Sequence, residues 1–400
     1  MSPRAKREYV EAVLTRYKRS SRINKSRILD ELCSNCGFHR KHAIRLLRKL
    51  TRRRRSKLRR RGPKPIYNRD EILNPIKKIW LAAHLPCSKR LKAILPLWLP
   101  GYQSLQGPLP PDILQALLRI SAATIDRLLK PIRVRYQHRG RCTTKPGTLL
   151  RHQIPIATEQ WNQTKPGFLE ADTVAHCGES MAGQFAHTID CVDIATGWSE
   201  QRAVWGRGET DVLLQIRHIE QSLPFPLLGF DCDNGSEFLN HHLLRHFRNR
   251  PTPVSFTRSR AYHKDDNAHV EQKNWTHVRQ WIGYDRFDNP RVVSLLNDLY
   301  CNEWRLFQNF FCPSAKLLAK NRVGSKTIKH HDSPKTPYQR VIESLYISHD
   351  VKKDLIVKAR SLNPFFLREI IETKLKKIFQ CCYKQSIYRQ RSVMTRFGNI

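Results

Sequence analysis

At 400 residues the chain is long enough for about two or three domains, and its 40% hydrophobic content is enough to bury their cores. Lysine and arginine outnumber aspartate and glutamate by 72 to 34, a net charge of +38, so a polyanion is the expected partner and nucleic acid fits best. No apolar run reaches the roughly 18 residues of a membrane span, MSPRAKREYVEAVLTRY lacks the apolar stretch of a signal peptide, and 11 scattered cysteines suit reduced thiols better than a disulfide framework. A soluble, cytoplasmic protein without a membrane partner is expected.

Residues 1–50 carry three short helical patterns: Tyr9, Val10, Val13, Leu14 and Tyr17; Ile28, Leu29 and Leu32; Ala43, Ile44, Leu47 and Leu50. A break ending in Gly37 separates the last two, and the third segment, FHRKHAIRLLRKL, sets Arg40, Lys41 and Arg45 beside its apolar stripe. That pattern predicts a helix-turn-helix with a basic recognition helix; an ordinary three-helix bundle with a solvated basic face has the same pattern. Within it, Cys33, Cys36, His39 and His42 form a C-x2-C-x2-H-x2-H array too tight to surround one zinc ion, so buried small cysteines and exposed histidines are expected there.

Residues 51–68 form a basic arm. Its segment RRRRSKLRRRGPK holds nine basic residues and no acid, among them Arg52, Arg53, Arg54, Arg55, Arg59, Arg60 and Arg61. Such a run repels itself when free and is expected to order along phosphates, although a nuclear localisation signal has the same composition. A second helix-turn-helix unit is expected over 69–136, with Ser121 capping the helix of Ile125, Leu128 and Leu129, and 137–165 reads as a linker.

From residue 166 to 290 the pattern changes to strands. GFLEADTV, FAHTIDCVDI and WSEQRAV predict an antiparallel meander, TDVLLQIRHIEQSL a helix, and PLLGFDCD a strand apolar on both faces that belongs in mid-sheet. SEFLNHHLLRHFRNR then predicts a helix capped by Ser236, VSFTRS a fifth strand, and NAHVEQKNWTHVRQWI a further helix. The expected fold is α/β: a mixed five-stranded sheet with helices on its faces, preceded by all-α modules. Residues 291–400 read as helix through PRVVSLLNDLYCNEWRLFQNFFCPSAKL, a loop at VGSKTIKHHDSPKTPYQRVIES, a small helical unit that contacts DNA or oligomerises, and a frayed tail.

Asp233 stands where the central strand ends, Asp172 half-way along the first strand, and Glu271 on the last helix, from which it can approach the other two. Three carboxylates converging from separate elements repel one another unless cations neutralise them. Hard oxygen ligands suit two Mg2+ or Mn2+ ions, which at about 3.5–4 Å apart activate an attacking oxygen and stabilise a leaving one in phosphoryl displacement. Asp231, Asp190 and Asp193 compete for these roles but equally suit solvated strand ends or turns. Glu237 suits the first turn of its helix, and His176, His263 and His269 could touch substrate.

LEADTV, DCDNGSEF and NAHVEQKN resemble the three acidic blocks of the DDE transposase and retroviral integrase core, with 60 residues between Asp172 and Asp233 and 37 between Asp233 and Glu271. The resemblance covers about residues 160–290, and the preceding helical region looks like that of bacterial insertion-sequence transposases. It implies a ribonuclease-H-like core, metal ligation and catalysis by Asp172, Asp233 and Glu271, and cleavage of double-stranded DNA at element ends followed by strand transfer into target DNA. At least a dimer on DNA, associated with a bacterial nucleoid, is also implied. Family members often carry a lysine four residues after the glutamate; Trp275 stands there, leaving phosphate contacts to Lys273 or Lys264. A ribonuclease-H-like nuclease, or a DNA-binding regulator with an inactive core, are the rival readings.

Overall fold

The structure, a computed structural model, describes residues 1–51, 67, 70–133, 164–233, 235–259, 268–323 and 326–382. Arg52, Arg53, Arg54, Arg55, Arg59, Arg60 and Arg61 of the basic arm, Lys264, His263, most of the expected linker and the tail lie outside the described residues. The chain divides into two compact units, Met1–Pro65 and Ile66–Ile400.

The first unit is three-helical: α1 (Pro3–Arg19), α2 (Arg22–Cys36) and α3 (Arg40–Thr51). Ser2 and Ser21 cap the first two helices by accepting hydrogen bonds from the Ala5 and Asn24 amides. Gly37 ends α2 at φ 64°, a left-handed position that costs glycine nothing, and its amide returns to the Cys33 carbonyl. The periodic apolar positions Val10, Val13, Ile28, Leu29, Leu32, Ala43 and Leu47 meet in one core.

The second unit opens with α4 (Asp70–Ala82), α5 (Ser88–Gln106), α6 (Pro111–Arg119) and α7 (Ala122–Arg133). Ser121 accepts the Thr124 amide at the start of α7, the expected cap. Then follow β1 (Phe168–Ala175), β2 (Ala186–Asp193), β3 (Ser199–Trp205), α8 (Glu209–Ser222), β4 (Gly229–Cys232), α9 (His241–Arg248) and β5 (Ser255–Arg258). The strands lie in the order β3-β2-β1-β4-β5, with β1–β2 and β2–β3 antiparallel and β1–β4 and β4–β5 parallel. This is the mixed five-stranded sheet expected from the pattern, with the doubly apolar β4 inside it.

Strand alternation divides the chemistry between the faces. Leu169, Ala171, Ile189, Cys191, Phe230 and Cys232 point to one side, where Val212, Ile216 and Ile219 of α8 and Leu243 and Phe247 of α9 close an apolar layer. Glu170 and Asp172 of β1 fall on the other side, as do Asp190 of β2 and Asp231 of β4. That side is covered by a long helix in three parts: α10 (Ala268–Lys273), a π-helical stretch over Asn274–Arg279, and α11 (Gln280–Ile282).

Behind it, α12 (Arg291–Leu299), a π-helical stretch over Tyr300–Trp304 and α13 (Arg305–Phe311) continue the predicted helix, which stops at Cys312. Helices α4 to α7 share this core: Ile76, Trp80, Leu95, Trp98 and Leu129 join Trp281, Trp304, Phe307 and Ile371 in one apolar cluster, and the Trp98 indole donates to the Phe311 carbonyl at 3.2 Å.

Two local expectations are corrected. The helix after β4 is capped by Asn240, which accepts the Leu243 amide, and begins at His241; Ser236 lies in the preceding turn, because the chain must first loop around Asp233. The segment expected as a loop after α13 is ordered as β6 (Leu317–Val323), β7 (Lys326–His331) and α14 (Pro337–Glu343), the last started by a reciprocal Thr336–Gln339 capping box. Helices α15 (His349–Ser361) and α16 (Pro364–Cys382) complete the described unit.

Candidate active site

The parallel pairing of β1 with β4 sets Glu170 opposite Asp231 and Ala171 opposite Cys232, which brings Asp172 level with Asp233 at the point where β4 ends. Both residues are half-buried, and both carboxyls are held above the usual carboxylate range: desolvation penalises their charge, Asp233 repels Asp172, and Glu237 repels Asp233. The Thr173 amide and the Asn274 side chain, at 2.7 and 2.6 Å, oppose that rise at Asp172, while the Gly235 amide, at 3.0 Å, opposes it at Asp233.

The turn after β4 is tight for a steric reason. A Cβ on Gly235 would stand 2.7 Å from the Glu237 carboxyl carbon and 2.9 Å from Asp233 Oδ1, so any larger residue would push the two carboxyl ends aside. Glu237 does not lie in a helical first turn as expected. It is 2% exposed, accepts the Thr173 hydroxyl at 2.7 Å, and pairs at 3.5 Å with the half-exposed Arg207, a cation that favours the charged form of Asp233.

Glu271 sits on the exposed side of the first turn of α10, close enough for its charge to act on Glu170. From the same helix, one turn on, it is Asn274 that touches Asp172. Among the described residues no three His, Cys, Asp or Glu side chains gather closely enough to hold an ion, whether at the three acids or at Cys33, Cys36, His39 and His42. The donors that do meet are nonetheless of the type a hard cation takes. Two half-buried, mutually repelling carboxyls stand beside Asn274, whose Oδ1 is buried and has no hydrogen-bond partner among the described residues.

Glu170 carries no role in the sequence reading, yet it fixes the helix. Its Oε2 accepts the His269 and Val270 amides, both at 3.1 Å, at the start of α10, and burial pushes its pKa up to about 8, with a smaller contribution from Asp231 and Glu271. Only its LEAD context hinted at it: an acid two residues from Asp172 must share its face. Asp231 accepts the Thr257 hydroxyl at 2.5 Å and lies beside Glu170 on β4.

Asp190 and Asp193 are structural. Asp193 accepts the Gly167 and Thr196 amides, both at 2.8 Å, in the turn after β2. Asp190 is the cross-strand partner of Asp172 and accepts the Gln201 amide at 2.8 Å; burial pushes its pKa to about 7, against the attraction of Lys273.

Two expected substrate contacts, Lys273 and His176, are corrected. Lys273 is 7% exposed and buried near Asp190, with burial lowering its pKa to about 8, so its ammonium is not offered to a phosphate backbone. His176 is fully buried, bonded to Thr188 at 2.8 Å and stacked on Phe287, and desolvation keeps it neutral. His269 is half-buried, with burial lowering its pKa to about 4; its amide, bound by Glu170, holds the helix end.

In the first unit Arg40, Lys41 and Arg45 are exposed on α3; Arg40 is paired with Asp30 and donates to Ser26 at 2.6 Å, and Arg45 reaches the Lys41 carbonyl. Cys36 is buried and His39 and His42 are exposed, with His42 set against Phe38.

No family model matches the chain. Among solved structures it is similar to the catalytic core domain of BIV integrase, at 15% identity and a TM-score of 0.28 over 44% of this chain and 95% of that one. It is also similar to a simian T-cell lymphotropic virus intasome in complex with PP2A regulatory subunit B56 gamma, at 12% identity and a TM-score of 0.30 over 60% and 72% of the respective chains. The sheet assignment rests on the strand order and pairing described above. Over 339 residues, 83% of this chain and 94% of its relative, the sequence is 39% identical to the uncharacterized protein y4rM of Sinorhizobium fredii, and the chain belongs to the y4rM family.

Proposed function

We propose that the chain is a DDE-type transposase, a polynucleotidyl transferase that cleaves double-stranded DNA at element ends and joins the freed 3′-hydroxyl to target DNA. The observation that carries this reading is the meeting of Asp172 and Asp233 on adjacent parallel elements of a mixed sheet, half-buried and mutually repelling. Like charges held together and partly desolvated are costly without a neutralising partner, and a divalent cation with the DNA phosphates is the partner that this donor set suits.

Asp172, Asp233 and the Asn274 oxygen would hold Mg2+ or Mn2+, with Glu271 added from α10 when DNA is bound. Two such ions supply Lewis-acid activation of the attacking oxygen and stabilisation of the leaving one. The chain's own residues do the rest: Glu170 holds the start of α10, Glu237 orients Arg207 beside Asp233, and Lys41 and Arg45 on α3 are open to phosphates. The net charge of +38 offsets repulsion between two duplexes. Joining two ends calls for at least a homodimer on DNA. Among the described residues no helix is long and apolar enough to cross a membrane.

The test is incubation of purified protein with element-end DNA, a target plasmid and Mg2+. Joined products that vanish in Asp233→Asn and Asp172→Asn while DNA binding persists are expected. Cleavage of RNA in hybrids without joined DNA would establish the nuclease reading instead, and DNA binding without any cleavage would establish a regulator.

A further inference from the structure

Strands β1 and β3 are each antiparallel to β2, and β4 is parallel to β1, so β1, β3 and β4 run the same way and their carboxyl ends open on one rim of the sheet. Ligands of open α/β sheets gather at such a rim. Asp233 follows β4 there, and Arg207 follows β3, between Gly206 and Gly208 in the link to α8.

Glu237 joins the two. Its Oε1 accepts the hydroxyl of Thr173, the neighbour of Asp172, at 2.7 Å, and its Oε2 accepts Arg207 Nη1 at 3.5 Å. A Cβ on Gly235 would lie 2.8 Å from that Oε2 and 2.9 Å from Asp233 Oδ1, so the partner of the guanidinium and the Asp233 carboxyl border one small space. The positive charge of Arg207 accordingly acts on Asp233.

Other paired arginines of this unit use several of their donors. Arg305 donates twice to Glu200 and once to the Ser222 carbonyl, and Arg286 donates to Asp288 and to the carbonyls of Cys177, Ser180 and Ala182. Arg207 differs. Among the described residues it makes the single long bond to Glu237, and 48% of its side chain is exposed while that of Glu237 is 2% exposed. An isolated, half-exposed ion pair adds little stability, so holding up the fold does not account for a cation here. A guanidinium carries five N–H donors in a planar fork that matches the oxygens of a phosphate, and all but one of these donors remain to be used. A cation tethered beside two carboxyls, with its fork turned to water, is what an acidic site needs when its substrate is itself an anion.

We propose that Arg207 is a further catalytic residue of the transferase site, its unused N–H groups taking the non-bridging oxygens of the phosphate that lies at Asp172 and Asp233. The residue keeps its proton throughout and supplies charge and direction. This role rests on the transferase reading above and adds to it the group that receives the phosphate, which the acids themselves repel.

The test uses the full chain and an element-end duplex whose cut position has been mapped from wild-type products. Arg207→Gln is expected to slow single-turnover cleavage in Mg2+ by roughly 100- to 1,000-fold, and Arg207→Lys, which keeps the charge without the fork, by less. Duplex binding, read by anisotropy with Ca2+ in place of Mg2+ at 0.1 M salt, weakens in Arg207→Gln by about eightfold, the share of one phosphate contact. Replacing the mapped phosphate by a neutral methylphosphonate costs the wild type a similar factor but costs Arg207→Gln less than about twofold, since the contact is already gone. If Arg207→Gln loses its fold by circular dichroism, Arg207→Lys carries the same comparison, its smaller loss again shrinking on the methylphosphonate duplex. An unchanged cleavage rate, or a methylphosphonate penalty as large in the variant as in the wild type, overturns the Arg207 contact and leaves the transferase reading standing. A wild type that neither cuts nor joins duplex DNA overturns both.

Discussion

Replacing Glu170 by alanine tests whether the acidic face positions the helix that carries Glu271. The carboxyl is 1% exposed and accepts two amides of the first turn of α10, each at 3.1 Å. Deleting it strands both donors, at roughly 1–2 kcal/mol each after partial relaxation, so local opening of α10 becomes about 2–4 kcal/mol easier. Amide exchange across residues 268–273 then speeds up by roughly 30- to 900-fold, read by hydrogen–deuterium exchange and mass spectrometry, while exchange in α8 stays as in the wild type. Glu170→Gln is the informative control. With the pKa pushed up to about 8, the group is mostly protonated at pH 7 in the metal-free protein, so a glutamine of the same shape with one carbonyl acceptor keeps both amides bound. The reasoning fails if glutamine loosens the helix as much as alanine does, or if alanine leaves it unchanged.

Further outcomes follow from the same packing. Asp233→Asn removes a half-buried charge that repels Asp172, so it raises the melting temperature of the metal-free protein by about 2 °C and abolishes any shift on adding Mg2+; a lower melting temperature would falsify the repulsion argument. Glu170 and Asp190 have pKa values raised to about 8 and about 7, so their stabilisation is complete below about pH 4 and is lost as pH rises toward 8. His187, lowered to about 4, acts in the opposite sense: its share is present above about pH 6.5 and lost on acidification. The double variant Glu170→Gln, Asp190→Asn therefore loses less stability than the wild type between pH 5 and 8 in urea titrations, and parallel curves would count against the assignment. Gly229→Ala places a Cβ 2.3 Å from the Phe168 ring across the β1–β4 pair and destabilises by about 1–3 kcal/mol, with partial recovery on adding Phe168→Leu.

The five strands were readable because each carries its own period, and PLLGFDCD, apolar on both faces, could only lie inside the sheet. The placing of Asp172 and Asp233 followed from the same register. Glu170 was overlooked because its role depends on two backbone amides about 100 residues away, which no local pattern reveals. Glu237 read as a helix-start acid because Ser236 is a good cap in isolation; the crowding of two carboxyls around Gly235 pushes the true start to Asn240. The β6–β7 ribbon read as a loop since its basic and polar residues carry no apolar stripe, the signal by which half-buried strands announce themselves. Lys273 read as a phosphate contact because charge suggests exposure, and only tertiary packing reveals that it lies under the sheet beside Asp190. The folding of α4 to α7 onto α11 to α13 was equally hidden, because any apolar helical face can serve a private core or a shared one.

The π-helical stretch over Asn274–Arg279 accommodates one more residue per turn than the helix on either side. Since a residue subtends about 100° of an ordinary helix, deleting one residue there would leave Trp281 in its packing and rotate everything toward the amino terminus by a little over a quarter turn. Asn274 would swing off Asp172 and Glu271 would face a different quadrant, with no change to any acid. The length of this helix thus works as a phase setting, and a one-residue deletion that removes no carboxylate would still undo the contact of Asn274 with Asp172.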